Sequence, residues 1–179
     1  YNQTKQPAEL LTQANLILGK GQLSLAKFLF ITADETHKVS THNEKEFYKY
    51  MLERIDLKRD LHFYTNTSMD TLDYSGSGLN TGSKIVVAAY GDKKRELGTT
   101  ISDEFKSLKT FINPCLVFDG VLIFQGNKFQ SYDKAKQEFE DFNNEVKENL
   151  FSQFPLIVIA DDSEFTAENL KNWLWVTFT

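Results

Sequence analysis

The sequence predicts an α/β protein: a mixed β-sheet covered by helices in three layers, as a single domain over residues 1–179. Three observations lead there. Short apolar runs rich in β-formers alternate with segments whose apolar residues recur at helical spacing, a pattern that favours a sheet with parallel pairs. Asp119-Gly120 between two apolar runs marks a tight hairpin and adds an antiparallel portion. The composition, 41% hydrophobic and 13% aromatic against 25% charged over 179 residues, supplies ample core.

Leu10, Leu11, Ala14, Ile17 and Leu18 fall at helical spacing after Pro7, a residue suited to a first turn, and Gly19 and Gly21 end that helix. Residues 26–32 form an apolar strand closed by Ala33-Asp34-Glu35. Phe47, Tyr48, Met51, Leu52 and Ile55 then make one helical face, with Asn43 placed to cap it. Strands over 61–65 and 84–90 flank a long loop rich in Gly, Ser, Asn and Asp. Residues 109–125 read as strand, turn, strand. Asp133 is expected to cap a helix carrying Phe139, Phe142, Val146 and Leu150 on one side. Residues 155–160 are the last strand, and a final helix carries both Trp. Trp173, Leu174, Val176 and Phe178 span more than one stripe of that helix, so some of this apolar surface should be exposed. The pattern of residues 27–55, apolar strand, acidic turn, helix, is echoed by residues 155–178, which suggests related pieces on one sheet.

The net charge of −5 carries no basic block, which argues against a nucleic-acid surface. No apolar run is long enough for an integral membrane segment, and no h-region marks a signal peptide. A single Cys115 excludes an internal disulfide and fits a reducing compartment, hence a cytoplasmic expectation. The chain starts at Tyr1 and stops at Thr179 inside an apolar pattern without a helix stop signal, which leads to the expectation of a piece excised from something longer.

The stretch 74–91, YSGSGLNTGSKIVVAAYG, resembles a nucleotide-binding loop only superficially. A P-loop needs G-x-x-x-x-G-K-[ST] opening a helix; here Gly76 and Gly82 are one residue too far apart, Ser83 precedes Lys84, and a strand follows. His37, His42 and His62 lack the tight spacing of a zinc set, and Cys115 has no neighbouring base to activate it. Asp70 and Asp73 could serve as acid and base or hold a cation, but Asn66, Ser68, Asp70 and Asp73 are also turn-formers that bond nearby amides, and that reading is favoured. Lys84 could pair with either Asp or reach an anionic ligand. No residue is assigned a catalytic, cofactor-binding or metal-binding role; Asn66, Asp70, Asp73 and Lys84 are the loop or substrate-side candidates.

Residues 59–84, RDLHFYTNTSMDTLDYSGSGLNTGSK, resemble the C-terminal domain of the UbiD family of prenylated-flavin-dependent decarboxylases. The resemblance rests on Arg59-Asp60, Asn66-Thr67, Asp70, Leu72-Asp73 and Gly82-Ser83-Lys84. Upstream it extends to Gly21-Gln22, Ala26-Lys27-Phe28, the acidic turn Asp34-Glu35, and Arg54 and Asp56. It is specific over roughly residues 19–90 and thinner beyond. The form of the 66–74 segment, with Pro114-Cys115-Leu116-Val117 and the 175–179 stretch, is most similar to the longer branch often assigned to menaquinone biosynthesis.

The resemblance implies that the loop joins two sheet strands. It also implies a division of labour, with prenylated FMN, a divalent metal, a monovalent cation and the catalytic Glu-Arg-Glu network on a preceding domain. The C-terminal domain would then mediate homo-oligomer assembly and help cover the substrate pocket of a non-oxidative aromatic or polyprenyl-aromatic acid decarboxylase of ubiquinone or menaquinone type. By itself it would hold no cofactor and be inactive, its partners being its own flavin-binding domain and other subunits. Two further readings remain open: a stand-alone interaction domain with no enzymatic parent, and a small-molecule enzyme with its site in the 66–84 loop.

Overall fold

The computed structural model describes residues 7–34, 39–73, 78–146 and 148–178; Glu35, His37 and residues 74–77 of the long loop lie outside the described residues. Helix α1 (Pro7–Leu18) buries Leu10 and Ala14 and ends at Gly19, whose amide donates to the Asn15 carbonyl at 2.9 Å. Gly21, at φ 55, turns the chain into a 3₁₀ segment, Gly21–Leu25, a conformation that suits a residue without Cβ. Strand β1 (Phe28–Thr32) leads to α2 (Glu44–Arg54), where the Asn43 side chain accepts from the Glu46 amide as the sequence predicts. Strands β2 (Leu61–Ser68) and β3 (Thr81–Ala89) form an antiparallel pair, and β1 adds parallel to β3, giving the order β1-β3-β2. Both β2 and β3 run further into the glycine-rich stretch than apolar patterning indicates. Side-chain alternation sends Leu29, Ile31, Val86, Ala88 and Tyr64 towards α1. On the other face Phe30 meets Tyr48 of α2 edge-on, ring centroids 5.3 Å apart.

Tyr1–Lys94 form one compact unit and Arg95–Thr179 a second. The second contains α3 (Asp103–Lys106), β4 (Ile112–Phe118), β5 (Val121–Gln125), α4 (Tyr132–Glu145), a 3₁₀ segment Glu148–Gln153, β6 (Leu156–Ala160), α5 (Ser163–Ala167) and α6 (Leu170–Phe178). The β4–β5 hairpin turns at Asp119-Gly120, with Gly120 at φ 82, and β6 adds parallel to β5. Leu122, Phe124, Ile157 and Ile159 face Phe142 and Val146 at the end of α4. The opposite face takes α5 and α6, with Trp173 edge-on to Phe118 at 5.1 Å.

Three expectations are corrected. Ser131, not Asp133, caps α4: its own backbone is extended (φ −160) and its hydroxyl accepts the Lys134 amide, which places Asp133 in the first turn. Leu150 does not continue the α4 stripe, because Val146 leaves helical geometry and a 3₁₀ segment follows. The two echoed strand–helix pieces do not share a sheet: β1 and β6 each join a different hairpin, giving two mixed three-stranded sheets. The echo itself is preserved in topology. Each sheet has a central strand, an antiparallel hairpin partner and a parallel edge strand, with the helix preceding that edge strand on one face and the helix following it on the other. The first unit runs α1-β1-α2-β2-β3; the second, started at α4, runs α4-β6-α5/α6-β4-β5. They are cyclic permutations of one arrangement.

On α6, Trp173 is fully buried while Trp175 is 69% exposed and Val176 38%, so part of the apolar surface faces solvent as the stripe argument requires.

Candidate functional site

The loop candidates Asn66, Asp70, Asp73 and Lys84, with the upstream Gly21 and Lys27, lie at the loop end of the β2–β3 hairpin in the first unit. Tyr64 pairs with Lys84 and Thr67 with Gly82, so Thr65 and Asn66 together oppose Ser83 in a bulge that leaves Asn66 exposed. Met69, 2% exposed, lies across Gly82 so closely that any Cβ there would collide with its sulfur. The Met69 amide donates to the carbonyl of Asn80, itself at φ 56, a conformation Asn tolerates. One Asp70 carboxylate oxygen accepts the Leu72 amide at 2.9 Å, and the Asp70 carbonyl accepts the Asp73 amide at 3.1 Å. Asp73 pairs with Lys27 at 3.4 Å, and the Lys27 carbonyl accepts the Ile85 amide.

Lys84 pairs with neither Asp. It is 5% exposed, and its ammonium donates to the Ser24 carbonyl of the 3₁₀ segment, whose hydroxyl in turn donates to the Gly21 carbonyl. Burial holds the Lys84 ammonium below the usual lysine pKa. Asp70, Asp73 and Lys84 thus tie residues 21–27, 70–73 and 81–85 into one clamp. The clamp holds backbone in place; it does not aim an acid and a base at a common point. Phe28, Ile85 and Phe63 stand in register across the three strands beside it, and Phe63, Leu72 and Leu79 are 66%, 77% and 83% exposed.

A second constellation was not among the predicted site residues. Asp60, 1% exposed, accepts from Arg59 Nε at 2.5 Å, from a second Arg59 nitrogen at 2.9 Å and from the Asp56 amide at 2.8 Å. Arg59 also donates to the Tyr90 carbonyl and stacks 3.5 Å over the Tyr90 ring. Its bond to Asp60 raises its pKa. Asp56 is held below the usual carboxylate range by Lys94, 2.6 Å away, and by the Lys58 amide. The network joins the end of α2, the start of β2 and the chain beyond β3. Its signal in the sequence was Asp56 four residues ahead of Asp60 in an Arg-Asp pair.

Among the described residues no group of three or more His, Cys, Asp or Glu is placed to hold a metal ion. Cys115 is half-buried, its sulfur 3.7 Å from the Ser163 hydroxyl. No described helix is long and apolar enough to cross a membrane.

Residues 2–89 match the family described as the 3-octaprenyl-4-hydroxybenzoate carboxy-lyase C-terminal domain. Over 171 residues the chain is 35% identical to an uncharacterized protein of Chlamydia caviae, a match covering 96% of this chain and 27% of that protein. Over 176 residues it is 34% identical to a Chlamydia pneumoniae protein named as part of a 4-hydroxybenzoate decarboxylase, with the same coverage, 96% and 27%. The chain therefore spans about a quarter of the length of the curated relatives it matches (27%). The family match falls within the first unit; the similarity to the relatives spans 96% of the chain and so extends into the second.

Proposed function

Because residues 2–89 belong to the UbiD family of carboxy-lyase C-terminal domains, we propose that the chain is the assembly and active-site-covering part of a longer decarboxylase. The parent reaction is non-oxidative loss of CO₂ from an aromatic or polyprenyl-aromatic acid of quinone biosynthesis, in the cytoplasm. The family match carries this reading, and the name of the Chlamydia pneumoniae relative supports it. The clamp is consistent with a covering role: it fixes the shape of an edge that displays Phe63, Leu72 and Leu79, side chains suited to packing against another domain or protomer.

In this reading prenylated FMN, its divalent metal and the monovalent cation are held by the rest of the longer polypeptide. The described donors of the clamp do not fit them, since one Asp70 oxygen is engaged by an amide, Asp73 faces Lys27, and Lys84 is turned inward onto a carbonyl. The cofactor supplies the electron-accepting chemistry and the protein orients it.

The test is to purify the chain alone and as part of its complete reading frame, and to assay both for bound flavin and for CO₂ release from 4-hydroxybenzoate and related acids. The chain alone should carry no flavin and release no CO₂, while the complete polypeptide does both. Flavin or turnover in the isolated chain, or neither in the complete polypeptide, overturns the reading.

A further inference from the structure

The second unit contains a crevice unrelated to the clamp. Strands β5 and β6 run parallel, yet the helices that follow them leave for opposite faces, α4 over Leu122 and Phe124, α5 and α6 over the face of Phe118. The outgoing loops therefore part at the carboxyl ends of the two strands, the place where open α/β sheets bind ligands. A cavity of about 220 Å³ opens there. At the strand ends the Gly126 amide donates to the Ala160 carbonyl at 2.9 Å, and a Cβ on Gly126 would strike Ile159, so the bare backbone lets Ile159 pack against the strand end as one wall of the crevice.

Its lining narrows the chemistry of an occupant. Phe111, Phe129, Phe139 and Ile159 present apolar walls, and Phe129 and Phe139 are 66% and 48% exposed. Phe139 is braced edge-on against the buried Phe111 at 5.4 Å, while Phe129 meets Tyr132, itself 86% exposed, edge-on at 5.3 Å. Lys128 comes from the loop and Lys134 from the first turn of α4, with the Lys134 ammonium donating to Gln130 at 2.8 Å. Two lysines beside a helix N-terminus favour negative charge. Of the acids in the lining, Glu138 accepts the Asn127 side-chain amide at 3.0 Å, and Asp161 is solvent-exposed just past β6. Size is decisive: a cavity of about 150 Å³ takes one benzene ring, whereas sites for drug-sized ligands begin near about 300 Å³. One ring fills the crevice, and a nucleotide or prenyl chain would leave most of itself outside it.

We propose that this crevice binds a single-ring aromatic anion, its ring against Phe129 and Phe139 and its charge at Lys128 and Lys134. The site lies outside residues 2–89 and does not depend on the proposed function. The experiment is an amide-resolved NMR titration of the 179-residue chain with benzoate at fixed pH and ionic strength, with acetate and benzylamine as controls. Saturable shifts confined to residues 126–139 and 159–161 are expected for benzoate alone. Phe129→Ala, and separately Lys128→Ala with Lys134→Ala, should each weaken binding about tenfold, one factor of ten in the dissociation constant. All three side chains are exposed, so the variants should melt as the parent does. Non-saturating or scattered shifts, an equal response to acetate or benzylamine, or unchanged affinity in variants that melt normally overturns the proposal.

Discussion

Asp60 accepts three hydrogen bonds while only 1% exposed, so its removal leaves a guanidinium and an amide without their acceptor inside the first unit. Asp60→Ala should lower stability by about 3 kcal/mol, the low end for a broken buried pair because Arg59 keeps a third of its side chain in solvent. Urea denaturation measures it, and a loss within a few tenths of a kcal/mol would show the network to be dispensable. Lys84 and Tyr48 set a pH dependence of opposite sign. Burial lowers the Lys84 pKa, so the unfolded chain binds more protons and stability rises with pH up to the unfolded lysine value near 10.5. Burial, then Glu44, pushes Tyr48 up to about 12, so the folded state holds its proton longer and stability falls between 10 and about 12. Denaturation at a series of pH values should show the rise vanish in Lys84→Met and the fall vanish in Tyr48→Phe; profiles unchanged in both variants would contradict the assignment.

Among the elements, α4 separates two candidate caps. Ser131→Ala should cost about 1 kcal/mol, whereas Asp133→Ala, which loses only a favourable charge in the first turn, should cost about 0.3–1 kcal/mol. A larger loss at Asp133 than at Ser131 would return the cap to the position expected from sequence. The contrast shows what was legible. Asn43 could be read as a cap because, of Ser40, Thr41 and Asn43, it stands closest to the apolar face of its helix; ahead of α4 the same rule picks Asp133, and only backbone conformation gives the cap to Ser131. The β2–β3 bulge supplies a second test. Gly82→Ala forces Met69 out of its seat and should cost about 1–3 kcal/mol, recovered in part by Met69→Ala in the same chain. Asp73→Ala removes a partly exposed ion pair and should cost about 0.2–1 kcal/mol. Residues 70–73 could be read as turn-forming because an Asx turn is local; the partners of Asp73 and Lys84 could not, since Lys27 and Ser24 lie far back in the chain.

At the scale of the molecule, strand–helix alternation announced the α/β class, but apolar patterning carries no label for which hairpin a parallel strand joins, and so the division into two sheets was not legible. Both tryptophans belong to the second unit and differ sharply in exposure, 0% for Trp173 and 69% for Trp175. A collisional quencher such as iodide should reach one emitter and spare the other, giving a downward-curving Stern–Volmer plot; a straight line through full quenching would mean that Trp173 is not enclosed. The cyclic permutation has a kinetic consequence. It gathers both hairpins, β2–β3 and β4–β5, into the middle of the chain and leaves the parallel strands β1 and β6 towards its two ends. The β4–β5 hairpin closes over Asp119-Gly120 and β2–β3 over residues 69–80, whereas each parallel strand must return across an intervening helix, so the middle can organise first and the flanks are recruited to it. During synthesis β1 leaves the ribosome well before the strand it pairs with exists, while β6 emerges onto a finished hairpin. A vectorially made chain must therefore keep Phe28-Leu29-Phe30-Ile31 waiting, and that segment is where a nascent-chain chaperone would be needed most.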